Sequence, residues 1–137
     1  MSRLLKAVCL VASLNGCAGP AVPSCAAGLG APATIFSLYF GRAIPGRGDL
    51  TDKEWQAFLD KTITANLPNG YTIFDATGGW MNPVTHATIN ENTKVLLVAL
   101  PDGPDGLSAI NRIRATYQIE FHQQLVGMMV QRGCAAF

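Results

Sequence analysis

The chain of 137 residues is short of charge and short of histidine. Asp, Glu, Lys and Arg supply 14% of it, ten cations against nine anions. No run gathers those cations into a patch that could follow a phosphate backbone, so nucleic acid is not an expected partner. The two histidines, His86 and His122, have no second His or Cys nearby, and Glu91, five residues after His86, is poor metal spacing. His122 suits a helix C-terminus, where a cation complements the dipole. With no Cys-x-x-Cys pair either, no metal is expected. A Gly-x-Ser-x-Gly nucleophile elbow is missing, although a triad assembled only in space leaves no trace in sequence. Residues 28–33, Gly-Leu-Gly-Ala-Pro-Ala, lack the flanking strand and helix of a dinucleotide site. Gly41 and Gly46 have the spacing of a phosphate loop, but Arg47-Gly48 stands where Lys-Ser/Thr is needed. No cofactor is therefore implied. No apolar run reaches the about 20 residues of a membrane span.

What is present begins with a leader. Arg3 and Lys6 precede a short apolar run over 7–14, the layout of a secretory signal. Leu14-Asn15-Gly16-Cys17 follows and is similar to the bacterial lipoprotein lipobox, in which the thiol is acylated and the chain is cut before it. Asn15 departs from the usual small or aliphatic residue. Ordinary signal cleavage and a buried N-terminal helix are the alternatives. The last four residues, Cys134-Ala135-Ala136-Phe137, fit a prenylation pattern. That reaction belongs to cytosolic proteins and conflicts with export.

Of the four cysteines, Cys9 leaves with the leader and Cys17 takes lipid. Cys25 and Cys134 remain, an even pair for an oxidising compartment, and a disulfide between them is expected. Two free thiols are the alternative. Without Arg3 and Lys6 the chain carries eight cations and nine anions, a net of −1. The domain layout reads as a signal peptide with lipobox over 1–16, a Gly/Pro/Ala tether over 17–33 and one domain over 34–137. The low charge and high apolar content suit a small domain with an extra apolar face.

Alternation predicts a strand over 34–40, with Phe36, Leu38 and Phe40 on one side and Ile35, Ser37 and Tyr39 on the other. Residues 41–48 read as a loop. Thr51-Asp52-Lys53-Glu54 is a capping box, with Leu50 and Trp55 placed as a staple. Trp55, Phe58, Leu59, Thr62 and Ile63 form its buried stripe, and Pro68-Asn69-Gly70 ends the helix. A second strand is expected over 71–76, a loop or hairpin around Trp80, and a third strand over 93–100. The third is apolar on both faces and belongs in the sheet centre. Asp105 is placed to cap a second helix that buries Leu107, Ile110, Ile113, Tyr117 and Phe121. A last strand is expected over 125–130. The order β-α-β-β-α-β points to an α+β ferredoxin-like sandwich, an antiparallel sheet with two helices on one face. Its other face stays open, with Tyr39 and Asp75 placed to point there.

Several stretches resemble one bacterial family, the domain of unknown function 3574. They are Leu38-Tyr39-Phe40-Gly41-Arg42, Trp55-Gln56-Ala57-Phe58-Leu59-Asp60, Leu67-Pro68-Asn69-Gly70-Tyr71-Thr72, Gly79-Trp80, Glu91 with Lys94-Val95-Leu96, Ile113-Arg114-Ala115-Thr116-Tyr117, Phe121-His122-Gln123 and the C-terminal Cys134-Ala135-Ala136-Phe137. The resemblance implies export, often with a lipobox, and carries no activity. Asn90 replaces an Arg that commonly precedes the Glu, and Gly79 replaces a common Gln before the Trp.

Asp75 and Glu91 are the carboxylates of the strand region, able to do acid–base work only if the fold joins them. The plainer reading ends a strand at Asp75 and pairs Glu91 with Lys94, Arg42 or Arg114. Tyr39, Trp80 and Tyr117 form an aromatic wall with polar tips, unless Tyr117 is core. The candidate pocket is Tyr39, Arg42, Asp75, Trp80 and Glu91. The favoured function is a non-catalytic cell-envelope lipoprotein, held to a membrane by lipid and facing the periplasm or exterior. Its open sheet face would bind a ligand, an envelope partner or a second copy in a homodimer. The alternative is a small enzyme of the dimeric α+β barrel type, with a pocket between sheet and loops.

Overall fold

The alternation over 34–40 becomes the strand β1 (Ala31–Gly41) in a computed structural model of the chain, which describes residues 24–82 and 84–136. The leader and Cys17 lie outside the described residues. Phe36, Leu38 and Phe40 are buried, whereas Tyr39 on the other face is exposed. The strand starts three residues inside the expected tether, at Ala31. Partners on both sides explain this, since Ala31 faces Ala135, Pro32 faces Cys134 and Ala33 faces Pro101. Ladder pairing overrides a Gly/Pro-rich composition, and Pro is tolerated near a strand's start.

The expected loop over 41–48 folds into a small hairpin, β2 (Ala43–Ile44) with β3 (Gly48–Asp49), turning at Gly46 with φ 75°. The capping box then forms in full. The Glu54 N–H donates to the Thr51 hydroxyl across 3.3 Å, and the Thr51 N–H donates to the Glu54 carboxylate across 2.9 Å. The helix runs as α1 (Asp52–Phe58), a π-helical segment (Leu59–Ile63) and α2 (Thr64–Asn66). The wider π turn leaves Trp55, Phe58, Thr62 and Ile63 all buried along one side. Leu50 and Trp55, the expected staple, are both in the core.

β4 (Thr72–Met81) and β5 (Thr88–Pro101) run well past their expected ends. α3 (Pro104–Glu120) begins with Pro at its first position behind Gly103, so Asp105 sits inside the first turn instead of capping it. Leu107 is exposed, contrary to the expected stripe, while Ile110, Ile113 and Tyr117 are fully buried. β6 (Gly127–Ala135) is displaced from 125–130 because its pairing with β1 extends to Ala135. Among the described residues no helix is long and apolar enough to cross a membrane.

The sheet order is β4-β5-β1-β6, antiparallel throughout, with β1 and β5 central as the apolar pattern requires. Helices cover one face. Between them and the sheet lies an aromatic cluster of Phe40, Trp55, Phe58, Tyr117 and Phe121. The Phe40 and Tyr117 rings meet edge-on at 4.8 Å, a geometry that the ring quadrupoles favour. The disulfide Cys25–Cys134 forms as the cysteine arithmetic predicts, with Cα atoms 5.8 Å apart. It consumes the thiol of the C-terminal prenylation pattern.

Candidate functional site

Strand alternation decides which side chains share the uncovered face. Tyr39 lies opposite Val95 on one side and Gly127 on the other. Phe74 also faces Val95, Ser37 faces both Leu97 and Met129, and Thr72 faces Leu97. All of these point away from the helices. Tyr39 is 36% exposed, Leu97 37%, Phe74 48% and Met129 54%. The Tyr39 hydroxyl donates to the Met129 sulfur across 3.2 Å. Gly127 makes room for the ring, since a Cβ there would come within 3.2 Å of the Tyr39 Cβ. Among the described residues Glu91, just past the end of β1, is the one charged residue that alternation puts on this side of the paired strands. Phe74, Leu97 and Met129 were not singled out in sequence. Alternation in their own strands was the available signal.

Asp75 does not join that face. Its register partner is Lys94, which lies opposite Phe40 on the helix side, and the Lys94 ammonium binds the Asp75 carboxylate. Lys94 is buried and its nitrogen sits 6.0 Å from the Trp55 ring centre, a cation–π contact. Asp75 stays exposed because β4 is an edge strand.

Glu91 takes none of its three expected partners. Lys94 is held by Asp75. Arg42 binds Asp52 across 2.9 Å and also donates to the Leu50 carbonyl. Arg114 donates twice to the Val126 carbonyl, at 3.0 and 3.2 Å. The Glu91 carboxylate lies over Gly41 instead, where a Cβ would approach both its oxygens to 2.8 Å. Among the described residues it has no ion pair. It is on the opposite side of the strand from Lys94 and Asp75, so the two carboxylates form no acid–base pair.

Tyr117 belongs to the core and not to an aromatic wall. Its hydroxyl donates to the Gly41 carbonyl across 2.9 Å. Burial pushes the phenol well above its ordinary range; Arg42 opposes that shift and Glu91 adds to it.

Trp80 stands on a separate feature. Pairing of β1 with β5 stops at Gly41 and Thr93, but β4 and β5 stay paired for five more positions, from Thr77–Asn92 to Met81–Thr88. That two-stranded arm carries Trp80, 46% exposed, across from Ile89. By alternation both share the face of Phe74 and Val95. Gly79 and Asn90, the two departures from the common family pattern, are direct partners on this arm. A Cβ on residue 79 would lie 3.2 Å from the Asn90 side-chain oxygen Oδ1.

Two hollows lie on the surface of the described residues. A depression of about 200 Å³ at the base of the arm is lined by Asp49, Thr77, Asn90, Glu91 and Asn92, with the Asn92 amide donating to Asp49 across 2.7 Å. A cleft of about 1040 Å³ opens at the other end of the sheet, between the turn after α2 and the start of α3, with Leu67, Tyr71, Leu100, Ala109 and Arg112 in its walls. None of Tyr39, Arg42, Asp75, Trp80 and Glu91 lines that cleft, so the candidate set is spread over both faces and the arm. His86 sits in the turn at the arm's tip and His122 just past α3, both with positive φ. No three His, Cys, Asp or Glu residues converge among the described residues.

These features define a ferredoxin-like α+β domain with one apolar sheet face uncovered. Residues 36–137 match the family described as "Protein of unknown function (DUF3574)", and the chain belongs to that family. No curated protein matches it in sequence. Its fold is similar to a phage SAM lyase solved with S-methyl-5'-thioadenosine, at TM-score 0.55 and 12% identity over 75% of this chain and 90% of that one. The same lyase in its apo state gives 0.54 and 14% over 83% and 98%. CutA from Synechococcus elongatus is more distant, at 0.49 and 11% over 77% and 80%.

Proposed function

We propose that this chain is an exported cell-envelope lipoprotein whose domain binds a partner or ligand on its open sheet face and performs no catalysis. One observation carries the reading: Tyr39, Phe74, Leu97 and Met129 form an uncharged, partly exposed apolar row on a face that no helix among the described residues covers. A contiguous apolar surface of that kind marks an interaction site. The address rests on the leader and on Cys17. The Cys25–Cys134 disulfide supports it, because such bonds persist in oxidising compartments.

Site-specific photo-crosslinking in the native host tests the binding face. A photoreactive residue at Leu97 should capture a defined species, and one at Lys61 on the exposed helix side should not. Equal capture from both positions, or none from Leu97, removes the reading. Membrane fractionation of Cys17→Ala tests the address separately. A variant that still sediments with membranes overturns the lipid anchor.

The cleft of about 1040 Å³ favours a second reading, the small enzyme, because its size suits a small molecule. Native mass spectrometry of the purified chain separates the two. A small molecule retained equally by the wild-type chain and by Leu97→Asp, and so held away from the open sheet face, supports the enzyme, and its absence together with protein capture from Leu97 supports the binding module.

A further inference from the structure

We infer that the open sheet face and the projecting arm form a single interface, and that its occupant is a second copy of this chain. The inference rests on the proposed reading of the sheet face as a binding surface and adds the identity of the partner.

The arm is the first argument. Past Gly41 it has no third strand among the described residues, yet it holds five further residue pairs and displays Trp80. A two-stranded ribbon alone is marginal in water and needs packing against something else. Trp80 and Ile89 point to the same side as Phe74 and Val95, so the apolar surface runs from the sheet onto the arm. Gly78 leaves that side of the ribbon without a bulky side chain between Ala76 and Trp80, which lets another backbone come close.

Area is the second. Four strands about 4.8 Å apart, each about seven residues long at about 3.3 Å, give a flat footprint of roughly 450 Å². The arm adds on the order of 150 Å² by the same spacings. A stable association buries about 800 Å² of accessible surface per partner, and accessible surface exceeds a flat footprint. The sheet alone falls short of that figure, whereas the sheet with the arm approaches it.

Charge is the third. Glu91, its carboxylate drawn in over Gly41, is the one charged residue on this side of the paired strands among the described residues, so an identical face presents no block of like charge and needs no complementary patch. Methionine at 129 gives adaptable contact to a self-complementary surface.

The test uses the full chain, extracted in mild detergent. Light scattering should give a mass of at least two chains. Leu97→Lys on the sheet and Trp80→Ser on the arm should each weaken self-association by about tenfold or more in Kd, as loss of a buried anchor does. Circular dichroism and an intact Cys25–Cys134 bond would show that both variants remain folded. A monomeric wild-type chain at its highest soluble concentration overturns the inference. Weakening by Leu97→Lys alone overturns the arm's part in it. In the crosslinking assay, capture of a second copy from Leu97 supports both proposals. Capture only of another protein leaves the binding face standing and removes the self-association.

Discussion

The hydroxyl of Tyr117 donates to the carbonyl of Gly41 across 2.9 Å, fastening α3 to the end of β1 within the aromatic core. Tyr117→Phe keeps the ring and leaves that carbonyl without its side-chain donor. A loss of about 1–2 kcal/mol is expected from urea unfolding, the usual cost of an unpaired buried acceptor. A change below about 0.5 kcal/mol would mean that the bond contributes nothing net.

The same phenol makes the fold sensitive to alkali. Burial holds it protonated in the folded chain at pH values where the unfolded chain, near the ordinary value of about 10, already ionises. The folded state then binds more protons, so stability is full below that value and declines as pH rises through it. Denaturant midpoints measured on either side of pH 10 should show the decline, and Tyr117→Phe should flatten it.

Glu54 sets the opposite limb. Its bond from the Thr51 hydroxyl, the Arg47 guanidinium and the Thr51 N–H hold its carboxyl at about 2, against an ordinary 4.5. A depressed carboxyl contributes stability above the ordinary value, and that contribution is lost as pH falls from 4.5 toward 2. Glu54→Gln should make the acid unfolding curve shallower in that window. Thr51→Ala, which removes the cap itself, should cost about 1 kcal/mol at neutral pH.

Cys25 and Cys134 close a loop with a sequence separation of 109. Chain entropy alone puts the contribution of so long a loop at up to about 4–5 kcal/mol. Reduction or Cys134→Ser should lower the unfolding midpoint while the circular dichroism spectrum of the folded state stays the same. An unchanged midpoint would show that the unfolded chain gains no freedom from losing the bond.

Lys94 is buried along its stem and charged at its tip. Lys94→Met keeps the packing under Trp55 and removes an ion pair whose other member is exposed, so a change within about 1 kcal/mol is expected. Lys94→Ala should cost more, because the stem's apolar contacts go as well. Equal losses in the two variants would place the contribution in the charge.

Local signals were readable because they depend on neighbours along the chain. The capping box at Thr51, the alternation of β1 and the apolar run of β5 each stand in the sequence, and the element order led to the ferredoxin-like sheet; the long-range Cys25–Cys134 pair was readable by count, not by neighbours. Tertiary structure decided what depends on distant neighbours. Register placed Asp75 beside Lys94 on the helix side and left Glu91 over Gly41. Pairing with β6 drew Ala31 into a strand, and packed Gly30, which reads as spacer, so closely that a Cβ would meet the Ala135 carbonyl oxygen at 2.0 Å. Where β1 stops and β4 continues made the arm, and with it the apolar surface on which both proposals stand. A residue's type limits which bonds it can make. The partner it takes is set by segments far along the chain, and only the folded chain brings those segments together.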